Sequence, residues 1–390
     1  MLQDLSIYIH YPFCKAKCPY CDFNSHVKDG VDFQAFLQAY KNELNFFAAK
    51  IGQRKVKTIF FGGGTPSLMP IFLVEGILKE ISNLWLIDEN CEITLEANPT
   101  SFESAKFKDL RHAGINRLSI GIQALNDQDL KFLGRQHSST EAIATIEVAA
   151  KIFDNFSFDL IYARPLQTLK DWQIELKRAI DFGTKHLSLY QLTIEKGTKF
   201  FSDFKQKKFE MPDEELSVNF YELTDEITAI NGFKAYEISN YAKNNFESRH
   251  NLAYWLGKDY IGIGAGAHSR IYFENEKNRR EIMMIHEPLN WLNKTKDVGN
   301  GIQVNKEILA QELLEELILM GLRLEDGISS QIFKTHFNKN IDQIFDFNKL
   351  KTLENQGLII VSGDGIKITK SRRILTNVII EKLCHTLFQI

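Results

Sequence analysis

Little in this sequence leans to an extreme, and each absence closes off a class of function. Charge of one sign is lacking: 47 Lys and Arg stand against 50 Asp and Glu, a net charge of -3 over 390 residues, so no electrostatic footprint marks nucleic acid as a partner. No uninterrupted apolar run is long enough to span a bilayer. Met1-Leu2-Gln3-Asp4 leads straight into strand-like Ile7-Tyr8-Ile9 without a charged and apolar leader, and the expectation is a cytoplasmic protein. Internal repeats and low-complexity tracts are absent. Cysteine is sparse, five in all, yet three fall within eight residues, which in a reducing compartment suggests metal binding rather than a disulfide framework. Cys91 and Cys384 read as small buried apolar groups.

What is there is an ordinary folded composition, 44% hydrophobic and 25% charged. Short apolar runs alternate with helical periodicity through the first half. The predicted strands are Ser6 to His10, Thr58 to Phe61, Glu92 to Glu96, Arg117 to Gly121, Phe156 to Tyr162 and His186 to Leu192. Helices are expected between them, including Phe33 to Lys50, Ile71 to Trp85, Ser104 to Ala113, Thr140 to Ile152 and Leu169 to Phe182. Six parallel strands with helical crossovers make a partial (β/α)6 barrel, whose ligand sites lie at the C-terminal strand ends.

The second half reads as an additional α+β layer with a helix from Asp213 to Ile230, a linker from Asn293 to Asn305, and an amphipathic helix from Lys306 to Leu322. In the tail, helical Ser329 to His336 and Phe347 to Asn355 precede Gly363-Asp364-Gly365 between apolar runs, a hairpin signal. The expected α/β chain therefore divides into a barrel at 1-200, a connecting α+β region at 201-295 and a winged-helix-like module at 296-390. Lys367, Lys370, Arg372 and Arg373 in that module read as a solvated face.

The chemistry concentrates after the first strand, in Cys14-Lys15-Ala16-Lys17-Cys18-Pro19-Tyr20-Cys21. Three thiolates at C-x3-C-x2-C spacing on one short loop can hold three irons of a [4Fe-4S] cube and leave the fourth open. A zinc site completed by His10 or His26 is the alternative, against which structural zinc pairs usually repeat C-x2-C. The second strand ends in Gly62-Gly63-Gly64-Thr65, where missing Cβ atoms allow either a tight turn or close approach to a ligand. The remaining strand ends are expected to carry Glu96, Gln123, Arg135 and Asp159. Converging on one rim, they suit a zwitterionic nucleoside, a guanidinium for its carboxylate and acidic or amide groups for amine and hydroxyls.

Together these segments resemble the coproporphyrinogen III oxidase-like branch of the radical S-adenosylmethionine (SAM) superfamily over nearly the whole chain. The resemblance implies that Cys14, Cys18 and Cys21 ligate a [4Fe-4S] cluster and that Tyr8 packs near it. Gly63, Gly64 and Thr65 would contact the methionine part of SAM, with Glu96, Gln123, Arg135, Asp159 and Leu192 completing the pocket. The segment Asp159 to Thr168 departs from the family pattern at Ala163, Arg164 and Leu166.

Within that branch, the oxidases carry a fourth cysteine where this chain has Phe23, and an extension before the cysteine loop where it has seven residues before Tyr8. Both departures resemble the haem-chaperone (HemW) type. So does Arg249-His250-Asn251-Leu252-Ala253-Tyr254-Trp255, in which His250 is the expected axial haem ligand and Tyr254 and Trp255 pack on the macrocycle. A hydrogen-bonded core histidine is the alternative for His250, and His268 is a secondary ligand candidate. The implied function is binding haem and delivering it to apo-haemoproteins such as respiratory cytochromes, with self-association and peripheral contact with membrane-bound recipients allowed. The alternative is radical decarboxylation of coproporphyrinogen III to protoporphyrinogen IX.

Overall fold

A computed structural model describes residues 2-389. Six strands run parallel in chain order: β1 (Asp4–Tyr11), β2 (Lys55–Gly63), β3 (Leu86–Ala97), β4 (Arg117–Gln123), β5 (Phe156–Tyr162) and β6 (His186–Gln191). Strand alternation sorts their side chains. Leu95, Leu118, Ile120, Phe158 and Leu160 are fully buried in the hydrophobic core, while Glu96, Ser119 and Asp159 line the barrel cavity. The expected partial (β/α)6 barrel is present, with helices Phe33–Ile51, Ile71–Leu84, Ser139–Ile152 and Leu169–Asp181 as crossovers.

The additional α+β region continues this sheet at both edges. Tyr260–Ile263 pairs parallel with β1, followed by antiparallel His268–Tyr272, Arg279–Met284 and Ile302–Glu307. Beyond β6 lie Asn240–Ala242 and Lys234–Ala235. The expected linker from Asn293 to Asn305 is regular structure instead, the helix Pro288–Val298 and the strand Ile302–Glu307. Buried Trp291 and Thr295 anchor that helix, Gly299 ends it in the left-handed region at φ 79°, and the strand's ladder satisfies its backbone. Polar surface residues on a half-buried helix gave the stretch its linker-like composition. The predicted helix Ser104 to Ala113 is two short ones, Ser101–Ser104 and Phe107–His112.

A separate apolar cluster, including Leu314, Ile318, Phe333, Phe345, Leu350, Ile366 and Leu383, organises residues 308-387. Helices Ala310–Gly321, Ser330–Phe337 and Phe347–Asn355 pack with the hairpin Ile359–Ser362/Gly365–Ile368, which Ile328–Ser329 extends to three strands. This is the winged-helix-like module. Among the described residues, no helix is long and apolar enough to cross a membrane.

Candidate functional site

The cysteine loop is pinned at both ends over the C-terminal mouth of the barrel. Phe13–Cys14 pairs parallel with His26–Val27, and the amides of Gly64 and Thr65 donate to the carbonyls of Tyr11 and Phe13 at 2.7 and 2.9 Å. A Cβ at Gly64 would lie 2.5 Å from the Phe13 carbonyl oxygen, and one at Gly63, whose φ is 109°, would meet the His10 ring at 2.5 Å. The glycine run therefore has a local role: it lets β2 approach the loop.

Cys14, Cys18 and Cys21 are free, half-buried thiols on the wall of one cavity. Gly63, Gly64, Thr65, Glu96, Gln123, Arg135 and Asp159 line the same cavity. Among the described residues, no group of three His, Cys, Asp or Glu side chains is drawn together as a single ion demands; an iron-sulfur cube holds its thiolates farther apart. Burial pushes the Cys14 and Cys21 thiols up, so ligation would displace their protons.

Hydrogen bonds tie loop to pocket. The Thr65 hydroxyl donates to Cys14 Sγ at 3.4 Å and accepts from Asn98 Nδ2 at 3.1 Å. Arg135 donates through Nη1 to Cys18 Sγ (3.4 Å) and through Nη2 to Asn98 Oδ1 (2.6 Å) and the Gly121 carbonyl (2.7 Å). Its Nε is buried without a partner, an open donor beside the cysteines. Burial, reinforced by the Asp159 charge, raises Glu96 to about 8. Burial also raises Asp159 to about 6, against a Ser188 hydrogen bond and the Arg117 and Arg135 charges. A ligand bringing an ammonium or sulfonium would ionise both. Donor set, orphaned Nε and paired carboxyls fit a cluster with SAM.

Asn98, two residues past Glu96, is not among the residues singled out from the sequence; only the fold shows that it joins Thr65 to Arg135. Three predicted residues lie off the cavity wall. Tyr8 sits below it, hydroxyl 3.0 Å from His10 Nδ1 and ring stacked on Phe60. Leu192 is buried in an apolar cluster with Ile161 and Phe200.

His250 departs most from expectation. It is 1% exposed, with Nδ1 2.8 Å from Thr58 Oγ1 and Nε2 2.8 Å from the Tyr254 hydroxyl. Its amide donates to Glu92 and its ring stacks on Phe60 at 5.0 Å. Burial lowers its pKa to about 3. The helix Arg249–Trp255 packs against β2, and an exposed imidazole able to meet iron is not what it presents: both ring nitrogens are engaged inside the fold.

Two family models match, the radical SAM superfamily over residues 8–179 and the HemN C-terminal domain over residues 308–373. The chain is 35% identical to the heme chaperone HemW of Haemophilus influenzae over 386 residues, covering 97% of this chain and 98% of that one. It is 33% identical to the HemW of Bacillus subtilis over 380 residues, 95% and 97% of the two chains. The radical S-adenosyl methionine domain-containing protein 1, mitochondrial, of Bos taurus is 35% identical over 371 residues, 94% of this chain and 84% of that one. Coproporphyrinogen III oxidase (HemN) from Escherichia coli shares the fold at a TM-score of 0.80 and 21% identity, covering 98% and 90% of the two chains.

Proposed function

The chain belongs to the HemW haem-chaperone family of the radical SAM superfamily, and from that premise we propose that it binds haem and passes it to apo-haemoproteins such as respiratory cytochromes. The near full-length likeness to HemW carries this reading.

Cys14, Cys18 and Cys21 would hold a [4Fe-4S] cluster, with Thr65 and Arg135 donating to two of the sulfurs and so tuning it. When bound, the cluster supplies a low-potential electron and one iron open to an outside ligand. Arg135 Nε would take the SAM carboxylate, and Glu96 and Asp159 its ammonium and hydroxyl groups. Gly63 and Gly64 let β2 close on the cysteine loop and so bring Thr65 to Cys14.

Phe23, 62% exposed on the cysteine loop, occupies the place where the oxidases carry a fourth cysteine, which supports cargo handling over porphyrinogen oxidation. The test is an anaerobic haem titration of cluster-loaded protein, followed by mixing with an apo-cytochrome. Stoichiometric binding with transfer is expected, without decarboxylation of coproporphyrinogen III in the presence of SAM and reductant. Turnover of coproporphyrinogen without haem binding would replace this reading by the oxidase.

A further inference from the structure

Two side chains donate to the cluster cysteines, and one amide stands between them. Arg135 carries only donors, so the atom of Asn98 that meets its Nη2 at 2.6 Å is the carbonyl oxygen Oδ1. That fixes the amide's orientation and turns Nδ2 to the Thr65 hydroxyl oxygen at 3.1 Å. A hydroxyl has one proton. With its oxygen accepting from Asn98, the Thr65 proton is left for Cys14 Sγ, 3.4 Å away. On the other side, Asn98 Oδ1 and the Gly121 carbonyl at 2.7 Å together hold Nη2, and the rigid guanidinium then presents Nη1 to Cys18 Sγ at 3.4 Å. A continuous chain runs from Cys14 through Thr65, Asn98 and Arg135 to Cys18, and the amide of Asn98 sets its direction on both sides.

Asn98 is itself held from behind. Its backbone amide donates to Glu103 Oε2 at 2.8 Å, and the Ser67 hydroxyl donates to the same oxygen. Thr100 Oγ1 donates to the other carboxyl oxygen at 3.2 Å. Glu103 is 1% exposed and lies off the cavity wall. Ser67 stands two residues past Thr65, so one buried carboxyl fastens the segment after β2 to the segment after β3 on either side of the contact between Thr65 and Asn98. Lys106 Nζ adds to the brace, donating to the carbonyls of Ser67 and Met69 at 2.6 and 2.7 Å.

A donor aimed at a cluster sulfur stabilises the reduced, more negative form of the cluster more than the oxidised form, and so raises its reduction potential. Groups that orient such donors tune a metal centre without ligating it. We infer that Asn98 is a positioning residue that aims the Thr65 and Arg135 donors at two cluster thiolates and thereby sets the potential of the cluster. This rests on the cluster reading of Cys14, Cys18 and Cys21 and adds the group that orders their surroundings.

The experiment is an EPR-monitored redox titration of cluster-loaded wild type, Asn98→Leu, Asn98→Asp and Thr65→Val, with each Asn98 variant also made in the Thr65→Val background and iron and sulfide content measured throughout. Leucine keeps the volume but neither accepts nor donates, so the midpoint potential of Asn98→Leu should be more negative than that of wild type. Because Asn98 acts partly through Thr65, the shift should be smaller in the Thr65→Val background. Asn98→Asp keeps the shape, but its carboxylate takes the Thr65 proton away from Cys14. Its added charge acts with or without the Thr65 hydroxyl, so the part of its shift that disappears with Thr65→Val measures the lost hydrogen bond. A wild-type potential in Asn98→Leu, or shifts that simply add to that of Thr65→Val, would overturn the positioning role while leaving the cluster reading intact. Failure of both Asn98 variants to load a cluster that wild type holds would also overturn it, making Asn98 a requirement of assembly instead. Failure of wild type to load a cluster would overturn both.

Discussion

Arg135 reaches Cys18 Sγ with Nη1 at 3.4 Å while its buried Nε faces no partner. One guanidinium thus touches a prospective cluster ligand and keeps a donor in reserve, since a carboxylate needs a fork of N–H groups and Asn98 with Gly121 already occupy Nη2. Arg135→Lys keeps the charge but loses the fork. SAM affinity measured by calorimetry on cluster-loaded protein should fall about tenfold to a hundredfold, the worth of a charge-assisted hydrogen bond of about 1.5 to 3 kcal/mol. Iron content should stay unchanged. Unaltered affinity would remove Arg135 from the carboxylate site.

SAM affinity should also depend on pH in a defined direction. Glu96 sits at about 8 and Asp159 at about 6 in the free protein, so at pH 6 Glu96 is protonated and Asp159 partly so. A cationic ligand binds best when both are ionised, and the protons must leave on binding. Affinity should therefore rise as pH goes from about 6 to 8 and level off above that. Glu96→Gln should abolish the upper part of the rise while leaving the part due to Asp159. A flat profile in wild type would mean that neither carboxyl meets the ligand's positive charge.

The barrel and the cysteine loop were legible because each depends on short-range pattern: apolar runs spaced by helical periods, and three cysteines within eight residues. Strand position was enough to bring Glu96, Gln123 and Asp159 into one cavity, whereas Arg135 is not at a strand end but lies past the helix Asp127–Phe132 and is folded back over the cavity. What escaped depends on distant contacts. His250 and Tyr254 occur at the i, i+4 spacing of a helix, but whether that face meets solvent or the barrel is decided by Thr58 and Glu92, 192 and 158 residues away in sequence. Met283 opposite His268 is a matter of strand register, which an irregular run of polar and apolar residues does not reveal.

The segment after Asp159 explains its own irregular sequence. Buried Arg164 pairs with Glu175 at 2.5 Å and Asp129 at 2.8 Å, fastening two helices through one side chain. On either side, Ala163 and Leu166 adopt left-handed backbone, φ 55° and 64°, where L-residues lose roughly 1 to 2 kcal/mol. Leu166 is 95% exposed and has no packing to offset that strain. Leu166→Gly should stabilise the protein by about 0.5 to 1 kcal/mol, the relief being partly cancelled by the greater freedom of glycine in the unfolded chain. A small rise in Tm is the expected readout, and a fall would show that Leu166 makes a contact worth more than its strain.

The last prediction separates structural from ligand roles at His250. Removing its ring leaves Thr58 and Tyr254 unpaired and a gap against Phe60, so His250→Ala should lose about 3 kcal/mol or more, the sum of unsatisfied polar groups and a cavity. Its protonation works the same way. The folded value of about 3 lies below the unfolded value of 6.5, so the unfolded chain binds the extra proton. The stabilising effect of keeping this imidazole neutral is complete above pH 6.5 and declines as pH falls toward 3, by about 2 kcal/mol between pH 7 and pH 5. His250→Gln can still hydrogen-bond but does not titrate, so its stability should fall less over that interval than wild type does, in urea unfolding at the two pH values. Haem binding at pH 7 should persist in His250→Gln wherever the protein stays folded, because both ring nitrogens of His250 are already engaged inside the fold. If His250→Gln unfolds normally yet loses the low-spin haem spectrum, the imidazole leaves the core to ligate iron and the buried position is only its haem-free state.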